Sequence, residues 1–289
     1  MRLFELVKTS LNVVLDPFNI CVGSRTAERR EKDRLGVLVT SNHFAEPAFP
    51  VPAQFTSCDP QPVLTAVEQF RKELARFTRP QRADEFSLEN AYYTSPDAEV
   101  LYAMVRLHKP RCIIEVGSGN STLLFRQAIN DGGLNTKLTS IDPNPRRQVE
   151  HHADEVIRAR LETLYPQEIS LRLQANDFLF VDSSHEIKTG NDVVTLFLTI
   201  LPTLVPGVII HLHDIFLPFD YPKEWIVDFG WGWNEQYLLQ AMLQGGNEFE
   251  VLWAGHHFER SLSDFGKHFP LWRGEAAKSV WLRRAGRVA

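Results

Sequence analysis

Apolar and polar positions change period several times along the chain, and the changes mark its elements. Leu3, Val7, Leu11 and Val14 recur at helical spacing and predict an N-terminal helix with one apolar face. Glu46–Pro62 contains five prolines, so it reads as an extended connector rather than a helix or central strand. Val67, Phe70, Leu74 and Phe77 restore a helical period over Val63–Phe77. A new helix opens at S-P-D-A-E, with Ser95 as its cap, Pro96 at its first position and Asp97 and Glu99 in its first turn. Lys109-Pro110 ends it.

Short apolar runs then alternate with helical stretches. Cys112–Val116, Leu138–Asp142, Val156–Leu161, Asp177–His185 and Val205–Asp214 predict five strands. Helices are expected from Asn120 to Gly132-Gly133 and over Asn191–Leu201. Phe249–Trp253 and Ser279–Leu282 predict a final antiparallel couple. Such alternation implies right-handed crossovers and a parallel sheet with helices on both faces. The expected architecture is α/β: a doubly wound, mostly parallel sheet with a terminal antiparallel strand. Residues 1–85 form a partly helical extension, a lid or dimer contact, and 86–289 the sheet domain. Ligands on such sheets sit beyond the carboxyl ends of the strands. Glu115, Asp142, Asp182 and Asp214 all fall there, so acids distant in sequence meet on one rim.

Composition narrows the partners. A net charge of -5, from 31 basic and 36 acidic residues, argues against a nucleic-acid binder. No run of about 18 apolar residues exists, so no membrane-spanning helix is expected. The N-terminal apolar stretch is broken by Glu5, Lys8 and Asp16 and lacks the uninterrupted core of a signal peptide. Its apolar face suits packing on the body or on a second subunit of a homo-oligomer better than a membrane surface. Cys21, Cys58 and Cys112 are widely spaced and without a C-x-x-C, as expected of reduced thiols in a cytoplasmic protein. The mixed charge run over residues 27–34 reads as a solvated face.

The most informative stretch is E-V-G-S-G-N-S-T, Glu115 to Thr122. Gly117 and Gly119 allow a sharp turn and close approach of the backbone to a ligand, so Gly117→Val is expected to block binding and spare the sheet. The helix that follows offers its free amides and positive dipole end. A dinucleotide site would place a third glycine where Thr122 stands, and a phosphate loop would need G-K-[ST]. Glu115 would repel a pyrophosphate, whereas Asp142 has the spacing of a ribose-binding acid. A nucleoside with no phosphate and a positive charge fits, and S-adenosylmethionine is such a ligand.

Five blocks occur in order over roughly residues 90 to 255: E-V-G-S-G-N-S-T, S-I-D-P-N-P-R, D-F-L-F-V-D-S-S-H, P-G-V-I-I-H-L-H-D-I-F-L-P-F-D-Y-P and W-N-E-Q-Y-L-L-Q-A. Together they resemble a bacterial small-molecule branch of the class I S-adenosylmethionine-dependent methyltransferases. The resemblance implies a Rossmann-like domain in which Glu115, Gly117, Ser118 and Gly119 hold the methionine part, with Asn120 and Ser121 at the helix start. It implies that Asp142 takes the ribose hydroxyls and that Asp182 lies near the methionine amino group or the acceptor. Glu162 is only a loose match for the residue expected beside adenine. The N-P-P-Y ending of base and glutamine methyltransferases is absent, which disfavours nucleic acid as a substrate.

Methyl transfer needs an aligned nucleophile, exclusion of water and, where required, removal of a proton. His213, Asp214 and His185 are the candidates for that proton, with His213 nearest the ligand at its strand end; His211 reads as a core residue. Asp182, His185, His213 and Asp214 also form a candidate divalent-metal set, Mg²⁺ on Asp182 and Asp214 in its simplest form, by resemblance to metal-using oxygen methyltransferases. Tyr93, Tyr221, Trp225 and Trp233 are candidate walls of an acceptor pocket. Two activities stay open at this point. One is O- or N-methylation of a small molecule in specialised metabolism. The other is a non-methylation reaction on the same fold, such as hydrolysis or ring closure.

Overall fold

The computed structural model describes residues 2–23, 25–80, 82 and 84–286. The chain divides into two compact units, residues 1–46 with 222–231 and residues 47–221 with 232–289. Residues 47–85, which the sequence grouped with the extension, therefore belong to the unit that carries the sheet. Phe55, Leu74 and Phe77 are the reason: all three are fully buried in its core.

In the first unit, helices Arg2–Leu15 and Arg25–Thr40 are separated by a turn that Asn12 latches. Its amide donates to Val22 O at 3.0 Å and its Oδ1 accepts from Val22 N at 2.6 Å. The predicted apolar face is exposed here: Val7, Leu11 and Val14 keep 59%, 43% and 66% of their surface, while the Leu3 side chain lies outside the described residues. No helix among the described residues is long and apolar enough to cross a membrane. Trp225 and Trp231 of the second segment of this unit pack at 5.1 Å.

The second unit is built on a seven-stranded sheet with order β3-β2-β1-β4-β5-β7-β6. The strands are β1 Cys112–Val116, β2 Lys137–Ile141, β3 Glu155–Ile157, β4 Phe178–Val181, β5 Ile209–Leu212, β6 Phe249–Ala254 and β7 Val280–Arg284. β1 to β5 are parallel; β7 inserts between β5 and β6 and runs antiparallel to both. The expected sheet and its terminal antiparallel couple are thus present. β1, β4 and β5 are buried throughout, which explains why they read as unbroken apolar runs.

A buried acid registers the centre of the sheet. Asp177 Oδ1 accepts from Arg111 N and Cys112 N at 2.9 and 2.8 Å, and Oδ2 accepts from Gln174 N at 2.9 Å. Above the sheet runs the helix Asp97–His108, whose buried residues include Leu101, Tyr102 and Met104. Its start departs from expectation. Ser95 does not cap a backbone amide; its hydroxyl donates to Glu99 Oε1 at 2.8 Å. A buried carboxylate is the harder group to satisfy, so it takes the hydroxyl first.

Burial pushes the Glu99 carboxyl up to about 7, with the Ser95 hydrogen bond working against it. In the unfolded chain the group returns to its ordinary 4.5. Between these values the unfolded chain has lost a proton that the folded chain keeps, so stability falls as pH rises from about 4.5 to 7 and then levels. Glu99→Gln removes this dependence. It is expected to exceed wild-type stability above pH 7 by up to about 3 kcal/mol and to match it below about pH 4.5. Urea denaturation at three pH values measures this, and parallel pH profiles for the two proteins would contradict it.

Candidate active site

The turn after β1 is fastened to β2 and β4. Gly117 N donates to Ile141 O at 3.0 Å. Gly117 has φ +79°, and a Cβ there would lie 1.8 Å from the carbonyl oxygen of Asp182. The close approach that demands glycine is therefore to the end of β4 rather than to a ligand, so a larger residue would disturb the sheet rim as well as the site. At Gly119 an added Cβ would meet only the Arg146 Cβ, at 3.9 Å.

Glu115 is enclosed beneath the turn. Its oxygens accept from the hydroxyls of Ser121, Thr122 and Ser140 at 2.7, 2.6 and 2.7 Å. Burial pushes its carboxyl up to about 7 against these three bonds. Thr122, which stands where a dinucleotide turn has its third glycine, also accepts from Gly119 N at 3.0 Å and so shapes the turn. Asp142 closes it from β2, accepting from Ser118 N at 2.8 Å on one oxygen and from Asn144 N at 2.7 Å on the other. The first oxygen also accepts from Ser118 Oγ at 3.3 Å, so it is the oxygen bonded to Asn144 N that keeps a lone pair for a further donor.

The helix Asn120–Asp131 begins here. Asn120 donates to Asn90 Oδ1 and accepts from Arg147 Nε, both at 3.1 Å. Asn90 Oδ1 also accepts from Tyr92 N and Tyr93 N at 2.9 and 2.7 Å, so the 90–93 segment is tied to the helix start. The side chains of Asn120 and Ser121 are thus spent on protein partners, and a ligand is met by backbone amides.

The carboxyl ends of β4 and β5 gather the charged groups. His185 Nε2 lies 3.2 Å from Asp182 Oδ1 and 3.5 Å from Asp214 Oδ2, and Nδ1 lies 2.5 Å from Glu235 Oε1. Lys278 Nζ lies 2.8 Å from Asp214 Oδ1. Burial acts to lower the His185 pKa, but Glu235, Asp182 and Asp214 outweigh it and raise the pKa well above its ordinary value. Burial likewise acts to raise Asp182, and His213, His185 and Lys278 together bring it below the carboxylate range. His185 and Asp214 both occupy the left-handed region, at φ 60° and 55°. Non-glycine residues held there cost about 1–3 kcal/mol each, and such strain concentrates at functional sites.

His213 is buried and neither ring nitrogen has a hydrogen-bond partner among the described residues; Nε2 lies 3.9 Å from Asp214 Oδ1. Its ring stacks on Tyr93 at 4.8 Å. His211 stacks on Phe180 at 3.9 Å, inside the core. Of the candidate pocket walls, Trp233 lies against His185 at 4.3 Å. Tyr221 is fully buried and its hydroxyl accepts from Gln236 N at 3.1 Å. Tyr93 is buried as well, and Trp225 belongs to the other unit.

Glu235 and Lys278 were not legible as site residues. Glu235 opens the helix Glu235–Gly245, where an acid reads as ordinary dipole complement. Lys278 precedes an edge-region strand, and nothing local marks it. A cavity of about 550 Å³ lies at the amino ends of β1 and β2, away from this rim, lined by Arg111, Lys137 and Arg172 among others. Its cations are paired, Arg111 with Asp177 and the other two with Glu155, so the unusual chemistry is at the rim.

The sheet order, the glycine turn after β1 and the acid after β2 define a Rossmann-like fold of the methyltransferase type. Residues 114–215 match the family model described as a methyltransferase domain. No curated protein matches. Among solved structures, an O-methyltransferase from Bacillus cereus in complex with SAH is similar at 13% identity and TM-score 0.42, over 76% of this chain and 90% of that one. An SAH-bound methyltransferase from Podospora anserina is similar at 16% identity and TM-score 0.43, over 92% and 98%.

The geometry separates the two glycines. Gly117→Ala is expected to destabilise by about 3 kcal/mol or more, through backbone clash and positive φ. Gly119→Ala is expected to cost under about 1 kcal/mol. Thermal melts of the two variants test this, and an unperturbed Gly117→Ala would remove the β4 contact from the argument.

Proposed function

We propose that the chain transfers a methyl group from S-adenosylmethionine to an oxygen or nitrogen of a small molecule, as a cytoplasmic enzyme of specialised metabolism. One observation carries the reading: a glycine turn, held by Asp142, stands beside a rim of carboxylates gathered around the His185 imidazole. Asp142 keeps acceptor capacity on Oδ1 for a ribose hydroxyl. Gly117, Ser118 and Gly119 present backbone rather than side-chain bulk to the methionine part. Glu115 supports them from below by fixing Ser121 and Thr122.

His185, Asp182 and Asp214 face the acceptor. His185 holds the two carboxylates in place, and a carboxylate oxygen of Asp182 or Asp214 takes the acceptor's proton. Trp233 covers His185 and keeps water from it. His213 sits behind Asp214 as a buried neighbour, which makes it a weaker candidate base than its strand position suggested.

The rim also fits a divalent cation. One ligand atom from each of Asp182, His185 and Asp214 lies within 4.8 Å of the others, a mixed N/O set. Glu235 on the far nitrogen of His185 is the partner that metal-bound histidines usually have. A bound ion would supply Lewis-acid polarisation of the acceptor oxygen.

Calorimetry with S-adenosylmethionine and with NAD tests the cofactor. Wild type is expected to bind the first and not the second, and Asp142→Ala to bind S-adenosylmethionine roughly 10- to 100-fold more weakly, since charge-assisted hydrogen bonds are lost. Mass spectrometry of small-molecule acceptors should then show the gain of one methyl group. Unchanged affinity in Asp142→Ala would overturn the ribose assignment.

A further inference from the structure

Lys278 reaches the rim from a part of the chain remote from the glycine turn, and the fold spends a buried acid on placing it. Asp97, in the first turn of the helix Asp97–His108, is 2% exposed. Its Oδ1 accepts from Ser279 N at 3.2 Å and from Ser279 Oγ at 2.6 Å, and its Oδ2 accepts from Lys278 N at 3.1 Å. Lys278 O accepts from Ile215 N at 2.9 Å, which joins it to the residue after Asp214. The backbone is therefore held on both sides, and the side chain, 17% exposed, delivers its ammonium to Asp214.

Asp214 thus stands between the Lys278 ammonium at Oδ1 and the His185 imidazole at Oδ2. His213 is buried, both its nitrogens are without a hydrogen-bond partner among the described residues, and Nε2 lies 3.9 Å from the oxygen that Lys278 holds. A buried imidazole left without a bond beside this carboxylate marks a place built for more than the lysine.

We propose that Lys278 is a tethered cation that competes with a divalent ion for Asp214. With Lys278 in place, Asp214 is neutralised and the rim is complete without metal. Where an ion binds the donor set, it meets the repulsion of an ammonium a few ångströms away and loses one oxygen of its carboxylate. The lysine thereby sets how readily the rim takes up a metal, and it does so from the segment leading into β7, which Asp97 fixes. The inference rests on the reading of the rim as the place of reaction.

Mn²⁺ is the probe, followed by calorimetry and by the loss of the free-ion electron paramagnetic resonance signal. Lys278→Met is expected to bind Mn²⁺ about tenfold or more tightly than wild type, because a like charge beside the ion is gone. Lys278→Arg, which keeps the charge, is expected to stay near wild type. Asp214→Asn in the Lys278→Met background should abolish the gain. Lys278→Gln repeats the test should the methionine variant fold poorly, as judged by its melting curve. Equal or weaker Mn²⁺ binding on removal of the charge would overturn the proposal and make Lys278 a support for Asp214. S-adenosylmethionine affinity, measured on the same samples, keeps the two readings apart: its absence in wild type sinks the methyltransferase reading, whereas the Mn²⁺ comparison decides the lysine.

Discussion

The site depends on the close approach of the turn after β1 to the end of β4. The carbonyl of Asp182 occupies the space that a side chain at residue 117 would need. This contact locks the cofactor turn against the strand end that carries Asp182, and so fixes the distance between the two halves of the site. Interior packing leaves no slack at such a point, since even one added carbon must displace backbone. Everything on the rim inherits its position from this contact: Asp142 on one side, and Asp182, His185 and Asp214 on the other.

Around it the structure handles buried charge by enclosure or by pairing. Glu115 is enclosed among three hydroxyls and Glu99 takes one, from Ser95, and both carboxyls are pushed up to about 7. Asp177 and Asp97 are each spent on backbone amides that set strand register. At the rim, by contrast, carboxylates meet cations: Asp182, Asp214 and Glu235 surround His185, and Lys278 holds Asp214. Buried charges are tolerated only when paired, so removing one partner costs far more than the pair contributes. That makes the rim a cluster in which the identity of each cation matters. It also explains why the strained backbone at His185 and Asp214 persists.

The unit that carries the sheet extends further toward the N-terminus than the change in composition suggested. Proline spacing makes 46–62 a connector, but packing decides where a connector belongs. Phe55 is fully buried although it lies in that proline-rich stretch. The first helix shows the opposite: its periodicity is clear, and its apolar residues are exposed within their own unit.

The sequence by itself determined the sheet, because unbroken apolar runs such as Cys112–Val116 and Phe178–Val181 have no stable place outside a sheet covered on both faces. It also made the glycine turn legible, with Thr122 in place of a third glycine and Asp142 at the end of the next strand, because spacing alone displays them. Only the tertiary structure decided what each residue faces. Gly117 proved to be required by β4, Glu115 to be turned inward, and Asn120 to be held by Asn90 and Arg147. Glu235 and Lys278 reach the rim from a helix start and from the segment before β7, and no local pattern signals such a meeting. Periodicity reports which face of an element is apolar; it carries no record of which distant side chain will arrive at a strand end, because that is set by crossovers and packing after the chain has folded.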